Sequence, residues 1–346
     1  KDASQNPIAA AALLDREGKR SYVERLMAGQ TSLRAEYAGR CGNMVSISEA
    51  RRRGRSEAGG FVAPIPACGV GNLIVRQFSI EELEPYINWK MLLHAWGMHG
   101  AGCGCGCVKD VQSDSLVADA RQWLRRISES GQYDGFGLVR IVESHRDADN
   151  IILDGRVIPV LRQQSADSRF ASLADYVAPE GDHVGVFMAG AGNYIAALRK
   201  SVLESGDSYG ALLLQSLADR LAEAASECLH YLTRTKYWGY ASEEVRDVSR
   251  MLRGEYAGIR PAMGYPMLPD QLLNKEVFEL LMPESGDRVA LTENGAMSPS
   301  STVSGLYIAN PSAGYFMIGE IGADQIKDYA GRRGLSESQV VEILNL

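Results

Sequence analysis

Residues 208–235 place the tightest constraint on what this chain can become. Leu213, Leu217, Leu221, Ala224, Cys228 and Leu232 recur at three- or four-residue spacing, which is the repeat of one helix face. A continuous apolar stripe must be covered by another layer of structure. Asp219, Arg220, Glu223 and Glu227 fall off the stripe. Glu223 has the chemistry of an acid or base, but a solvated helical carboxylate is the preferred reading. Cys228 reads as a small core residue. His230 has no triad partners nearby in sequence, so it reads as a surface or core histidine.

The rest of the chain is long enough to cover that helix. It has 346 residues and a mass of 37.6 kDa, enough for one large domain or two smaller ones. No apolar run approaches the roughly 20 residues of a membrane span, and no secretory signal is visible. Six cysteines in a chain this long do not read as a disulfide framework, so a reducing cytoplasm is the simple expectation. The net charge of −7 argues against a general nucleic-acid binder. That charge is uneven. Eleven Lys and Arg stand against seven Asp and Glu through Ala58, a net of +4, so the remainder carries −11. Residues 1–58, with helical stretches at 9–14 and 21–37 and the cluster Arg51-Arg52-Arg53-Gly54-Arg55, read as a basic helical linker or arm. The cluster reads as a solvated linker or as a docking site for an acidic electron donor.

Residues 81–96 read as a helix, with Ser79 and Glu82 forming a possible capping box. Residues 115–130 are amphipathic, with Leu116, Ala120, Trp123, Leu124 and Ile127 on one face. Strands are expected at 135–142, 151–160 and 183–188, with Asp154-Gly155 as a hairpin signal. Further strands are expected near 288–292, 304–309 and 314–321, and helices near 274–281, 323–333 and 336–344. Asp324 stands where it would cap or open the helix at 323. Gly190-Ala191-Gly192 lacks the rest of a dinucleotide fingerprint. Cys103, Cys105 and Cys107 alternate with glycines, near His94 and His99. Thiolates bind zinc and soft metals, but the spacing suits a glycine-rich turn better, and no metal site is assigned. No nucleophile elbow, Walker loop or HExxH helix is present.

Arg260-Pro261-Ala262-Met263-Gly264-Tyr265-Pro266 is the segment that speaks most to function. Its prolines exclude a helix interior and favour extended backbone. Gly264 permits close approach of a ligand, Arg260 offers a planar fork for a carboxylate, and Tyr265 offers a ring with a polar tip. On the residues alone, a proline-bounded loop that turns a corner is the competing reading.

The segment resembles the Arg-Pro-Ala-x-Gly-Tyr-Pro motif of the C-terminal reactivation (activation) domain of cobalamin-dependent methionine synthase. The resemblance continues in order through Tyr86-Ile87-Asn88-Trp89, Leu173-Ala174-Asp175-Tyr176, Tyr237-Trp238-Gly239-Tyr240, Thr292-Glu293-Asn294-Gly295, Thr302-Val303-Ser304-Gly305, Gly314-Tyr315-Phe316 and Asp324-Gln325-Ile326-Lys327. It covers roughly residue 60 to the end.

The resemblance implies an α+β fold: a single domain, residues 59–346, with a twisted antiparallel sheet surrounded by helices. Residues 1–58 would then be a helical linker at the tail end of an upstream cobalamin-binding module. S-adenosylmethionine is the implied ligand, held by Asn88, Arg260, Ala262, Gly264, Tyr265 and Tyr315, with no catalytic acid or base and no metal ligand. The family has Asp at the Asn88 position, where it meets the ligand's ammonium; Asn keeps an acceptor but loses the charge. Met263 replaces the motif's second proline, and Leu268 and Gln271 stand where Cys and His are common. The implied reaction is reductive methylation of cob(II)alamin to methylcobalamin, in support of methionine synthesis. The implied partners are the cobalamin module, in the same or a separate chain, and a flavodoxin-like or reductase electron donor. Two other readings remain: a non-catalytic docking module for a corrinoid protein with weakened S-adenosylmethionine binding, and an independent methyltransferase.

Overall fold

Alternation builds the sheet. In the computed structural model, which describes residues 13–14, 18–41, 43–54, 60–98, 111–281 and 288–346, the strands are β1 (Leu73–Gln77), β2 (Phe136–Asp147), β3 (Asn150–Leu153), β4 (Arg156–Pro159), β5 (Asp182–Gly190), β6 (Ala290–Leu291), β7 (Met297–Ser298) and β8 (Thr302–Tyr307). The main sheet is antiparallel in the order β4-β3-β2-β5-β8, and β1 pairs with the first half of β2. Asp154-Gly155 turns the β3–β4 hairpin with positive φ at both residues. β6 and β7 form a separate ribbon.

Side chains along β2 and β5 divide between two cores, as period-two geometry demands. Val139, Ile141, Phe187 and Ala189 enter one core; Leu138, Val142, Val184, Val186 and Met188 enter the other. The helices are α1 (Lys19–Cys41), α2 (Ile47–Arg53), α3 (Ile80–Leu83), α4 (Trp89–Ala95), α5 (Val111–Glu129), α6 (Asn193–Glu204), α7 (Ser208–Leu232), α8 (Val248–Met251), α9 (Asn274–Leu281), α10 (Ala323–Arg333) and α11 (Glu337–Ile343). The α7 stripe buries Leu213, Leu217, Leu221, Ala224 and Cys228 in the first core, beside Leu116, Ala120, Leu124 and Ile127 of α5. Val277, Leu280 and Leu281 of α9 close the second. Among the described residues, no helix is long and apolar enough to cross a membrane.

Two expectations change. Residues 81–96 are not one helix: α3 ends at Leu83, a 3-10 turn spans Glu84–Tyr86, and α4 begins at Trp89. Pro85 at the start of that turn supplies no N–H to continue α3, and Asn88 starts the next helix by capping it. Residues 314–321 form no strand. Their apolar alternation serves separate contacts instead: Phe316 packs 6.4 Å from Tyr176, and the Ile318 N–H donates to the Pro266 carbonyl at 3.2 Å. Gly190-Ala191-Gly192 joins β5 to α6, and the Asp134 carboxylate fills that helix N-terminus by accepting from Asn193 and Tyr194 N–H at 2.9 and 3.0 Å. The helical stretch expected at 9–14 lies outside the described residues apart from Leu13 and Leu14, and Cys103, Cys105, Cys107 and His99 lie outside them entirely.

The arginine cluster is largely engaged within the molecule. Ile47 and Ala50 of α2 are buried. Arg51 donates to Asp149 at 2.7 Å and to both oxygens of Asp328 on α10 at 2.9 and 2.7 Å. Arg52 and Arg53 pair with Glu49; Arg55 lies outside the described residues. Asp324 opens α10 but serves α2 as well, since its carboxylate accepts from Ile47 N–H at 2.6 Å. Beneath this contact, the buried Arg162 bridges Asp149 at 2.6 Å and Asp175 at 2.7 Å.

Removing one partner from such a buried network strands the others. Arg162→Ala is therefore expected to cost about 3–5 kcal/mol of stability, read from urea denaturation; a loss below roughly 1 kcal/mol would show that solvent reaches Asp149 and Asp175.

Candidate functional site

Gly305 decides where residues 260–266 run. The segment lies along the free edge of β8, with isolated bridges pairing Ile259 to Ile308 and Ala262 to Gly305. A Cβ on Gly305 would sit 2.2 Å from the Pro261 carbonyl oxygen, so only glycine admits this approach. The Leu306 N–H donates to Pro261 and the Met263 N–H to Ser304, each at 3.0 Å. These bonds flank the Ala262–Gly305 pair, so Ala262 turns its own N–H and C=O away from β8. Met263 is buried, and its N–H makes a bond that the family's proline at this position would forgo.

The roles expected of Gly264 and Tyr265 narrow here. The N–H groups of Gly264 and Tyr265 are spent within the turn, on the carbonyls of Leu268 at 2.8 Å and Ala262 at 3.4 Å. Gly264 has φ +81°, a conformation that favours glycine. It shapes the turn and does not line the cleft. Ala262 does line it.

The cleft, of about 740 Å³, opens between this strip, α7, the start of α4 and the irregular 314–317 segment. Five of the six expected residues line it: Asn88, Arg260, Ala262, Tyr265 and Tyr315. Its size is that of a small-molecule site. Asn88 caps α4 through its Oδ1, which accepts from Met91 N–H at 3.2 Å. Tyr315 is 51% exposed, yet its hydroxyl is fixed: it accepts from the Arg260 backbone N–H at 2.9 Å and lies 3.2 Å from the Tyr256 hydroxyl. Its ring therefore stands as a fixed aromatic wall.

Arg260 is not a free cation. Its Nη2 donates to Glu227 Oε2 at 2.8 Å, and its Nη1 lies 3.9 Å from Glu223 Oε2. Burial opposes its charge, but the Glu227 carboxylate more than restores it, so the guanidinium remains charged. Glu223 and Glu227 sit one turn apart on α7 and face the strip together. Both line the cleft, although neither reads from the sequence as a site residue. The signal was present in their four-residue spacing, but the arginine that gives it meaning lies 33 residues beyond Glu227. The Glu223 charge also raises the pKa of the Tyr265 hydroxyl beside it.

Behind the cleft, α7 runs into a π turn at Thr233–Tyr237. His230 is fully buried, stacked 4.8 Å from Tyr307 and edge-on to Tyr256. Arg234 lies 4.4 Å over the Tyr256 ring and pairs with Glu244 through two hydrogen bonds. Burial, then the charges of Arg234 and Arg260, push the His230 pKa well below its ordinary value.

The α+β domain thus gathers an arginine, two carboxylates and an aromatic wall around one open cleft of small-molecule size. The family model for the activation domain of vitamin B12 dependent methionine synthase matches residues 79–334, and the chain belongs to that family. A crystal structure of the MetH reactivation domain bound to AdoHcy is similar over 87% of this chain and 98% of that one, with 32% sequence identity and a TM-score of 0.80. The family is a domain of a cobalamin-dependent methyltransferase, and the mixed helix-and-sheet architecture agrees with it.

His230 gives this site a pH signature. Below about pH 6.5 the unfolded histidine takes up a proton that the folded one refuses. Stability then falls with acidification, by up to about 1.4 kcal/mol per pH unit down to the depressed folded pKa. His230→Phe, which retains a stacking ring, is expected to flatten this part of the urea-stability profile between pH 7 and 5; an unchanged slope would place the proton uptake elsewhere.

Proposed function

We propose that this chain binds S-adenosylmethionine in the 740 Å³ cleft and presents its methyl group to cobalamin held by another module, in support of reductive methylation and hence of methionine synthesis. The observation that carries the reading is the convergence of Arg260, Ala262, Asn88 and Tyr315 on one cleft, in a member of this family. The corrin held by that other module would supply the redox chemistry. The chain's own residues bind and orient.

Each part of the ligand has a counterpart. Arg260 receives the carboxylate as a charge-assisted contact. The Ala262 N–H, turned away from β8, would meet the edge of the base, with the carbonyl already accepting from Tyr265 N–H within the turn. The Tyr315 ring gives the sulfonium a favourable face through cation–π attraction. Asn88 offers the ammonium a neutral acceptor that is already committed to a helix cap. Positioning of this kind lowers the barrier by fixing geometry in advance. No proton transfer is assigned to any residue here.

Met91, Leu252, Tyr265, Tyr315 and Met317 stand exposed around the mouth of the cleft. An apolar rim of this sort favours a protein or cofactor surface over water, and the cobalamin-binding module is the partner proposed for it, in the same polypeptide or a separate chain. In that arrangement residues 59–346 form the ligand-binding unit and residues 1–58 the linker from the cobalamin module. This chain alone supplies one part of the methyltransferase activity, and a flavodoxin-like protein or reductase supplies the electron in the cytoplasm.

Calorimetric titration with S-adenosylmethionine tests the reading. Arg260→Ala is expected to weaken binding at least about tenfold, since a hydrogen bond to a charged group is worth about 1.5–3 kcal/mol. Asn88→Asp is expected to tighten it several-fold, because a charged acceptor is worth about twice a neutral one. Absence of heat at millimolar ligand, with the cobalamin module added, would leave the non-catalytic docking module as the surviving account.

A further inference from the structure

Glu227 is a charged side chain with a very short list of partners. It is only 3% exposed. Its Oε2 accepts from Arg260 Nη2 at 2.8 Å, while its Oε1 is buried with no hydrogen-bond partner among the described residues. Arg260 Nε is buried and unpartnered in the same way. A buried carboxylate is costly unless a cation offsets it, and Glu227 meets that cost with one oxygen only. Among the described residues its ion pair is with Arg260, which lines the cleft.

The geometry shows what this pair controls. Arg260 lies between two carboxylates on α7. Glu227 holds Nη2 at hydrogen-bonding distance, whereas Glu223 Oε2 stands 3.9 Å from Nη1 and is 35% exposed. Among the described residues Nη1 thus has no carboxylate closer than 3.9 Å. The two carboxylates are one helical turn apart, so the guanidinium needs only a side-chain rotation to exchange one for the other. Pairing with Glu223 would carry the cation toward solvent and cover the N–H groups that a ligand carboxylate needs.

We propose that Glu227, which lines the cleft but is only 3% exposed, is a positioning residue for this site: it acts on the ligand through Arg260, anchoring the fork so that it faces the ligand carboxylate and does not collapse onto Glu223. The inference rests on the cleft reading given above and adds a residue to it. It also accounts for the depth of Glu227, since a carboxylate within reach of the ligand would compete for the same fork.

The test compares two ligands that share an adenosyl group. S-adenosylhomocysteine carries the α-carboxylate; 5′-methylthioadenosine lacks the amino-acid head altogether. In calorimetric titrations of the whole 346-residue chain, Glu227→Gln is expected to weaken S-adenosylhomocysteine about tenfold or more while leaving 5′-methylthioadenosine within about twofold. In an Arg260→Ala background the same change should add nothing further, because its effect runs through Arg260. Glu227→Asp, which keeps the charge but shortens the reach, should fall between Gln and the unsubstituted chain, and it replaces Gln in the comparison should that variant not fold. Equal losses for both ligands would make Glu227 a packing residue and overturn the proposal. So would unchanged or tighter binding of S-adenosylhomocysteine, the latter showing that Glu227 competes with the ligand. Failure of the unsubstituted chain to bind S-adenosylhomocysteine would instead sink the cleft reading, and this inference with it.

Discussion

Close contact between residues 260–266 and β8 is the constraint on which the site depends. Among the described residues the strip has no strand partner on its outer side, and its position is set by two bridges and by the missing side chain at Gly305. Once the Pro261 carbonyl sits against that glycine, Arg260 is aimed at α7, Ala262 is turned outward, and the Arg260 N–H meets the Tyr315 hydroxyl. Three chemically different walls of one cleft follow from a single approach of two backbones. The prolines at 261 and 266 make that approach less costly, because they restrict the strip before it folds.

The second constraint is α7, which serves two purposes with one periodicity. Its apolar stripe closes the core, and the residues displaced from that stripe carry Glu223 and Glu227 to the cleft. Fixing the helix for packing therefore fixes the carboxylates for binding. A slip of one residue along α7 would rotate it by about 100°, which would expose the leucines and remove both glutamates from Arg260. Selection on the core and selection on the site thus act on the same register.

How much of this was legible in the sequence depended on how local the cause was. The bounds of α9 and α10 follow from local signals, periodic apolar residues in α9 and the left-handed Gly334 that ends α10, so they match their expected spans. Arg260 and Tyr265 stood out by their side-chain chemistry, whereas Asn88, Ala262 and Tyr315 entered through the family resemblance; all five line the cleft. Gly264 was legible as a special backbone position but not as to which kind, because a turn and a ligand approach ask the same freedom of glycine. Residues 314–321 misled for a different reason: alternation there comes from unrelated neighbours and not from a sheet. Glu227 was not legible as a site residue, since its four-residue spacing from Glu223 gains meaning only from an arginine far along the chain. The same holds for Arg51, whose role depends on Asp149 and Asp328.

Tyr315 owes its placement to an amide, not to a side chain. The group that fixes its hydroxyl is the main-chain N–H of residue 260, which every amino acid but proline provides. The aromatic wall and the cation are thus separable even though they meet at one residue. Residue 260 can lose its guanidinium without releasing the ring, so a lineage could retune the charge of this pocket by single substitutions while its shape stayed intact.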